Sequence, residues 1–283
     1  MNISGTTRVF LIVGDPVEQV RAPEAFNHLF AKHGVDAVLV PAKVSASDLS
    51  AFVRHSLLAE NIDGLWCTIP HKAALLELTD ERDAQARMAG AVNAARRRPD
   101  GSFEGALFDG IGFVKALDHF GIAMEGRRAL IVGAGGAGMA IGAALALRHP
   151  ACIALFDSAP GRAAAASRRL SAGSVSAIMP AASADPAGFD LVVNATPLGL
   201  NAGDALPFDV DRLDADAAVV DILMKNQPTP LLQACQRRGI VAHPGFEMMV
   251  QQVPEYLAFF GYDDIAEAVR VDAADVRALF QAS

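Results

Sequence analysis

Cysteine is scarce in this sequence, and its three copies form no recognisable pattern. Cys67, Cys152 and Cys235 lack the paired spacings of a zinc site, and an odd, widely separated set does not make a disulfide framework. The seven histidines are scattered, with no H-E-x-x-H or comparable arrangement on one helix face. We therefore expect no metal cofactor and a reducing, cytoplasmic location.

Positively charged residues are also fewer than negatively charged ones. Lysine plus arginine number 24 against 32 aspartates and glutamates, which gives a formal net charge of −8 and an isoelectric point near 5.3. A protein that binds the phosphate backbone of nucleic acid needs a basic face. The one basic run, Arg96 to Arg98, precedes Pro99-Asp100-Gly101 and is interpreted as a solvated hairpin edge. We expect no nucleic-acid partner.

Long hydrophobic runs are absent except for one. Ala129 to Leu147 has 19 residues without a charge, close to the length of a membrane-spanning helix. It contains five glycines and no aromatic residue at either end, so we interpret it as a buried strand, a tight turn and a buried helix. Because the chain is 52% hydrophobic and 20% charged, it can form a packed core. We expect a soluble, globular protein without a membrane contact.

Short β-rich runs alternate with helical patterns along most of the chain, which is typical of parallel sheets joined by crossover helices. A length of 283 residues favours two domains. A second βα series begins at Ala129, and wholly helical sequence follows Gly245. The pattern predicts an α/β protein in which a Rossmann-like parallel-sheet nucleotide domain, residues 110–244, is inserted in a discontinuous α/β substrate domain, residues 1–109 plus 245–283.

The second series opens with a glycine-rich turn. Gly133, Gly135 and Gly138 form G-x-G-x-x-G between a predicted strand and a predicted helix, and Gly136 lies in the same turn. The first glycine permits a tight turn, the second lets the backbone approach a pyrophosphate, and the third allows the helix to pack on the strand. A turn without a ligand is the alternative, which the flanking strand and helix disfavour. We predict a dinucleotide site here.

An acidic residue suggests which dinucleotide is bound. Asp157 ends the next predicted strand, 19 residues beyond Gly138, where a carboxylate accepts hydrogen bonds from ribose hydroxyls and repels a 2′-phosphate. NAD is therefore predicted over NADP. Asp157 could instead cap the following helix, and the arginines at positions 162, 168 and 169 keep NADP as an alternative.

Further motifs occur in a fixed order along the chain. They are Thr68-Ile69-Pro70-His71-Lys72, Gly90-Ala91-Val92-Asn93, Asp109-Gly110-Ile111-Gly112-Phe113, the glycine-rich turn and Asn194-Ala195-Thr196-Pro197-Leu198-Gly199. Together they resemble the shikimate and quinate dehydrogenase family, and Thr229-Pro230-Leu231-Leu232 and Met248-Met249-Val250-Gln251-Gln252 continue the resemblance over nearly the whole chain. The resemblance implies the discontinuous two-domain fold. It also implies that Asn194, Thr196 and Pro197 lie on the cofactor side.

The same resemblance implies site residues for the reaction. Lys72 and Asp109 correspond to the catalytic pair, Asn93 and Gln252 to residues that hydrogen-bond ring hydroxyls, and Thr68 to a substrate-side residue. Hydride transfer from a secondary alcohol must be accompanied by proton transfer at the oxygen, so a titratable group there makes chemical sense. Without the resemblance to the family, we would interpret Lys72 as a surface lysine and Asp109 as a helix cap. Asn93 would be a turn residue, and Gln252 would lie on a helix surface.

The sequence departs from the family pattern in four places. The family's S-K-S-P is Val20-Arg21-Ala22-Pro23 here, its N-V-T is Trp66-Cys67-Thr68, its N-T-D is Leu107-Phe108-Asp109, and a substrate-facing tyrosine is Met224. Polar groups are mostly replaced by apolar ones. We predict that Trp66, Phe108 and Met224 form a more apolar pocket wall, with core packing as the alternative. Arg21 could pair with a substrate carboxylate or be a solvated loop residue.

These observations predict an NAD(P)-dependent dehydrogenase that acts on the CH–OH group of a ring alcohol, or on the corresponding ketone, other than shikimate. One alternative is a true shikimate or quinate dehydrogenase that tolerates the replacements. Another is a sensor that binds dinucleotide without turnover, against which the presence of both Lys72 and Asp109 argues. We expect a small-molecule ring alcohol or ketone as the partner, and a chain that is a monomer or a homodimer.

Overall fold

The computed structural model describes residues 3–201, 203–224 and 227–281. It divides into two compact units. Unit 1 comprises Met1–Phe108 and Val250–Ser283, and unit 2 comprises Asp109–Met249. Each unit contains one six-stranded sheet with helices, so the predicted two-domain α/β class is confirmed.

The elements follow one another in alternating βα order through most of the chain. The first part of unit 1 contains β1 (Arg8–Gly14), α1 (Ala22–Lys32), β2 (Ala37–Lys43), α2 (Leu49–Ser56), β3 (Ile62–Cys67), α3 (Lys72–Leu76), β4 (Glu81–Arg82), α4 (Ala84–Ala89), β5 (Ala94–Arg97) and β6 (Phe103–Ala106). Unit 2 contains α5 (Asp109–His119), β7 (Arg128–Val132), α6 (Gly136–Ala146), β8 (Cys152–Phe156), α7 (Arg162–Ser171), β9 (Ala177–Pro180), β10 (Leu191–Asn194), a short 3₁₀ helix (Val210–Arg212), β11 (Ala218–Asp221), α8 (Pro230–Arg238) and β12 (Val241–Pro244). The chain then forms α9 (Phe246–Phe259), most of which belongs to unit 1, followed by α10 (Asp263–Val271) and α11 (Ala274–Gln281).

The sheet of unit 1 has the order β2-β1-β3-β5-β6-β4. Strand β1 is parallel to β2 and β3, and the hairpin of β5 and β6 adds antiparallel strands beside β3. Helix α1 begins with a proline in its first turn, and its apolar positions recur with helical spacing, so one face packs on the sheet. That buried face carries Ala25, Phe26, Leu29 and Phe30.

The core of unit 1 is rich in aromatic rings. Trp66 of β3 stacks on Phe260 and Tyr256, with ring centroids 4.4 and 5.3 Å away, and meets Phe10 and Phe26 edge-on. Burial of each such ring contributes about 2 kcal/mol from lost apolar surface, and aromatic pairs add about 1 kcal/mol each. This aromatic cluster fixes α1 and the end of α9 to the sheet.

The sheet of unit 2 is entirely parallel, in the order β12-β11-β10-β7-β8-β9. The chain leaves β7 toward β8 and β9 and then crosses to β10 on the other side, so the strand order reverses between β7 and β10. Ligands of doubly wound sheets bind at the carboxyl ends of strands at such a point. Helix α6 is apolar on all sides and buried from Gly138 to Ala146, which accounts for the long uncharged run in the sequence. No helix within the described ranges is long and apolar enough to cross a membrane.

Candidate active site

The carboxyl ends of β1 and β3 bring two loops of unit 1 together. The backbone N–H of Thr68 donates to the carbonyl of Val13 at 2.9 Å, and the N–H of Asp15 donates to the carbonyl of Ile69 at 3.1 Å. At Gly14, between them, an added Cβ would lie 2.4 Å from the Thr68 methyl carbon. The loop between β1 and α1, residues 15–21, is therefore packed against the turn of residues 68–72.

Lys72 begins α3, and its turn is held from two sides. The buried ring of His71 lies with Nε2 2.7 Å from the carbonyl of Val44, after β2. The carbonyl of Lys72 accepts from the N–H of Val92 at 2.9 Å. Sequence reasoning did not assign His71 a role of its own, and only its place beside Lys72 could have suggested one.

Asn93 is fully buried and is hydrogen-bonded to several residues of unit 1. Its backbone carbonyl accepts from the N–H of Cys67 at 2.8 Å and from the Tyr256 hydroxyl at 3.3 Å, and its Oδ1 accepts from the N–H of Phe108 at 3.0 Å. Its Nδ2 has no hydrogen-bond partner among the described residues. A buried amide left unpaired costs about 1 to 3 kcal/mol, and Trp66 Nε1 is a second buried donor without a partner among the described residues.

Phe108 packs against α9, and Gln252 is part of that helix. Gln252 is 8% exposed and lies one turn before Tyr256 on that helix. The Phe108 ring meets Tyr256 edge-on, with centroids 4.9 Å apart, and also meets Phe259. Asp109, the next residue in the chain, is the first residue of α5 in unit 2 and is 7% exposed. Thr68, Lys72, Asn93, Phe108 and Gln252 thus belong to unit 1 and Asp109 to unit 2.

A cavity of about 360 Å³ in unit 1 is lined by Phe108, Phe259 and four carboxylates. The carboxylates pair within the unit: Glu81 with Arg98, Glu104 with Arg96, Glu255 with Arg270, while Asp83 caps α4. Burial raises the pKa of Asp83. Because the acids are balanced by arginines or used as a cap, this cavity does not offer a free acid or base.

Three further predicted substrate residues are Trp66, Arg21 and Met224, and the structure places each of them differently. Trp66 is 2% exposed inside the aromatic cluster, so the structure makes it a core residue rather than a surface on a pocket wall. The Arg21 guanidinium is bound to Glu24 and to carbonyls of α11, and it is neither a solvated loop group nor free for a carboxylate. Met224 is half-buried in the segment after β11.

The glycine-rich turn of unit 2 has the shape that the motif predicts. Gly133 has φ +107°, and an added Cβ would lie 2.6 Å from the carbonyl oxygen of Ala195. A Cβ on Gly138 would lie 1.9 Å from the carbonyl oxygen of Gly133, so α6 can pack against the turn only because residue 138 is glycine. By contrast, Gly135 and Gly136 are exposed and face open space at the start of α6. This cradle fits a pyrophosphate, whose charge the unpaired N–H groups and the helix dipole favour.

The carboxylate of Asp157 is hydrogen-bonded to the backbone of that turn. It accepts from the N–H of Ala134 at 2.9 Å and of Ala159 at 2.9 Å, and Arg162 Nη1 is 3.5 Å away. Burial opposes ionisation, but the two backbone hydrogen bonds and Arg162 outweigh it and lower the pKa of Asp157. The carboxylate is therefore a fixed negative charge that also shapes the glycine-rich turn.

The loop after β10 is shaped by a buried polar network. Asn194 Oδ1 accepts from the N–H and hydroxyl of Thr196, and its Nδ2 donates to Asp221 at 2.9 Å. The Thr229 hydroxyl donates to the other Asp221 oxygen at 2.6 Å. Burial raises the pKa of Asp221 despite these bonds. Asn194 is thus committed to holding the loop, while Thr196 is half-buried and Pro197 is exposed on it.

Known proteins resemble this chain along nearly its whole length. A family model for the shikimate dehydrogenase substrate-binding domain matches residues 12–95. A shikimate dehydrogenase (NADP⁺) of Rubrobacter xylanophilus is 37% identical over 273 residues, which cover 95% of this chain and 96% of the relative. The chain belongs to the shikimate dehydrogenase family.

Solved structures of this family share its fold. Shikimate 5-dehydrogenase of Listeria monocytogenes, in complex with shikimate and NAD, superposes with a TM-score of 0.84 at 25% identity, covering 95% of this chain and 98% of the other. The 5-ketofructose reductase of a Gluconobacter species gives a TM-score of 0.82 at 25% identity, covering 94% and 99%. The chain is therefore a shikimate dehydrogenase-like oxidoreductase, an NAD(P)-dependent enzyme that acts on a CH–OH group.

Proposed function

We propose that this shikimate dehydrogenase-like enzyme interconverts a ring alcohol and its ketone, with Lys72 and Asp109 as the catalytic pair and a substrate other than shikimate. The observation that carries the proposal is the buried Asn93 Nδ2, which has no hydrogen-bond partner among the described residues. It lies in the same unit as the turn of Lys72, whose backbone is held by hydrogen bonds. A donor of that kind suits a substrate hydroxyl, and a lysine suits the oxygen that loses its proton.

The chemistry assigned to the chain is proton transfer and orientation. A bound nicotinamide supplies the hydride acceptor. As the carbinol carbon loses hydride, its hydroxyl becomes a carbonyl and releases one proton, which Lys72 accepts as general base and returns in the reverse direction. Asp109 is assigned as the second member of the pair, with its carboxylate serving the same proton transfer. Asn93 and Gln252 hold neighbouring ring hydroxyls, and Thr68 shapes the turn that presents the lysine.

The substrate assignment depends on polar groups that this chain lacks. Relative to the family pattern, Val20 and Ala22 replace two serines, Phe108 replaces a threonine and Met224 a tyrosine. Each buried polar group of a ligand left unpaired costs about 1 to 3 kcal/mol. Two such losses weaken binding of shikimate by roughly tenfold or more. The Gluconobacter neighbour, named for 5-ketofructose, supports the idea that this fold accommodates other substrates.

Shikimate itself is the second candidate substrate. The relative from Rubrobacter xylanophilus carries that name at 37% identity, and the Listeria structure contains shikimate. Under this alternative, the apolar replacements would lie outside the contact surface of the substrate.

We propose NAD as the preferred cofactor. The negative charge of Asp157 is fixed by two backbone hydrogen bonds behind the glycine-rich turn, and an anion there disfavours the 2′-phosphate of NADP. The name of the Rubrobacter relative favours NADP instead, and the Listeria structure contains NAD. Arg162, 57% exposed beside Asp157, is the group that an NADP-preferring enzyme would turn toward the phosphate.

A substrate panel tests the proposal. The purified protein is incubated with cyclic polyols, quinate and shikimate, each with NAD and with NADP, and reduction of the nicotinamide is followed by absorbance. We expect turnover of at least one neutral ring alcohol, faster with NAD. The Lys72→Ala variant serves as the matched control. Dinucleotide binding without turnover of any alcohol, or of any ketone in the reverse direction, would favour the sensor alternative.

A further inference from the structure

The Arg21 side chain connects two distant parts of unit 1. Its Nε and Nη2 donate to Glu24 Oε2 at 3.0 and 2.8 Å, within the first turn of α1. Its Nη2 also donates to the carbonyl of Leu279 at 2.7 Å, and Nη1 donates to that of Phe280 at 3.3 Å. The guanidinium carbon lies 5.6 Å from the centroid of the Phe280 ring. Four of its five N–H groups are thereby used.

These contacts have a clear physical origin in the end of α11. The last carbonyls of a helix lack partners within the helix, and a cation near them is favoured by the helix dipole. Arg21 supplies both the donors and the charge from a position 258 residues earlier in the chain. Its side chain is 18% exposed, so water competes weakly for these bonds.

The loop that ends at Arg21 also touches the turn of Lys72. Residues 15–21 begin with the bond from the Asp15 N–H to the Ile69 carbonyl. The loop is therefore held at one end by the turn of residues 68–72 and at the other by α11. A second attachment of α11 to α1 does not involve the loop: Asp275 accepts from Lys32 at 2.7 Å and lies 3.1 Å from His28 Nε2.

We propose that Arg21 is a positioning residue that clamps the loop between β1 and α1 onto α11 and thereby sets the affinity for the ring substrate. The proposal rests on the proposed function, because it takes this loop to border the substrate. The C-terminal helix then contributes to substrate binding without contacting the substrate.

The test compares two ways of loosening α11. Arg21→Ala releases the helix and the loop, Arg21→Lys keeps the charge on a single nitrogen without the planar fork, and Asp275→Asn releases the helix alone. For Arg21→Ala we expect KM to rise about tenfold, the size of the ordering cost of one or two side chains, with kcat within about twofold. This rise should be equal for carboxylated and neutral substrates. Arg21→Lys should recover part of it, and Asp275→Asn should lower Tm with KM unchanged.

Hydrogen–deuterium exchange gives a readout that needs no turnover. Arg21→Ala should speed exchange in residues 15–21, whereas Asp275→Asn should speed it only in α11. The proposal would be wrong if hydrogen exchange in the loop of Arg21→Ala were unchanged, or if KM were unchanged while Tm fell. Either result would show that Arg21 has only a structural role. A rise in KM confined to carboxylated substrates would mean direct contact and also overturn the clamp. If the wild-type protein oxidises no ring alcohol, the proposed function fails, while the exchange result still decides the clamp.

Discussion

At the residue scale, the proposed chemistry depends on single side chains, and above all on Lys72. Its backbone is fixed on both sides, by His71 on the strand β2 side and by Val92 on the other. Its position is therefore a property of the fold rather than of a flexible surface chain. Asp157 has the same character in unit 2, since its carboxylate is held by two backbone N–H groups.

Replacement of Lys72 by alanine should remove the proton-transfer group. We expect kcat to fall by about 10²- to 10⁴-fold, the usual effect of a lost general acid or base, with NAD affinity near normal. Steady-state kinetics and a dinucleotide titration measure the two effects. Lys32→Ala, which removes a lysine that pairs with Asp275 on α11, is the control and should keep wild-type kcat. Wild-type kcat in Lys72→Ala would remove the lysine from the mechanism.

Replacement of Asp157 by serine should narrow the preference for NAD. The fixed negative charge is lost, so the 2′-phosphate of NADP is no longer repelled, and the ratio of kcat/KM values should shift toward NADP by about tenfold or more. Asp157→Asn removes the charge and one of the two acceptor oxygens, so it should shift the ratio in the same direction. Equal or better turnover with NADP in the unmodified enzyme would contradict this assignment.

At the scale of the element, local order along the chain explains which predictions succeeded. The strand, turn and helix around Gly133 are contiguous, so the motif predicts their conformation directly. Contacts between distant segments were not predictable: the backbone carbonyls that bind Arg21 lie in α11, and Trp66 faces rings from α1 and α9. Short elements such as α3, with five residues, and β4, with two, escape prediction because so few residues do not show a repeated hydrophobic pattern. In the helical sequence that follows Gly245, the backbone is extended at Asp272, which separates α10 from α11.

The glycine-rich turn allows a prediction with an internal control. Gly133→Ala places a side chain at φ +107° and against the Ala195 carbonyl, so it should cost about 2 kcal/mol or more of folding stability. Gly135→Ala meets no atom within 4 Å and has an ordinary φ, so stability should stay within about 0.5 kcal/mol.

The same two variants distinguish an effect on folding stability from an effect on NAD affinity. NAD affinity of Gly135→Ala should fall about tenfold or more, because a methyl group then stands where the phosphate approaches the backbone. Thermal unfolding and a dinucleotide titration measure the two effects. Normal NAD affinity in Gly135→Ala would mean that the pyrophosphate does not lie over this turn.

The attachment of α11 to α1 predicts a pH effect on stability. Burial opposes ionisation of Asp275, but hydrogen bonds from Lys32, His28 and the Val276 N–H outweigh it and lower the pKa of Asp275 to about 2. A lowered pKa stabilises the fold above the unfolded value near 4, and this stabilisation is lost as pH falls through about 2. Because Lys32 and His28 are partly exposed, we expect about 1 kcal/mol at pH 7 after solvent screening.

Urea unfolding of the wild type and of Asp275→Asn, at neutral pH and near pH 2, measures this effect. The difference between the two proteins should be present at neutral pH and largely gone at the acid end. A difference that stays constant across this range would show that the ionisation of Asp275 is not coupled to folding.

At the scale of the whole molecule, the two units divide the work of the proposed reaction. Unit 2 carries the cradle of Gly135 and Gly136, at the point where its strand order reverses, and unit 1 carries Lys72 and Asn93. The family could be inferred from the order of its motifs, because those motifs are contiguous in sequence. The substrate could not, because it depends on which of the replaced side chains face a ligand, and the sequence does not tell a core residue such as Trp66 from a pocket wall.

The most direct test of the central claim is the kcat/KM for shikimate, measured with NAD in the same assay as the best neutral ring alcohol of the panel. We predict a value for shikimate well below about 10⁴ M⁻¹s⁻¹, the lower end for an efficient enzyme, and a higher value for the neutral alcohol. The reason is that Val20, Ala22 and Phe108 no longer supply the polar groups of the family pattern. A shikimate value of about 10⁴ M⁻¹s⁻¹ or above would contradict the claim and make the chain a shikimate dehydrogenase.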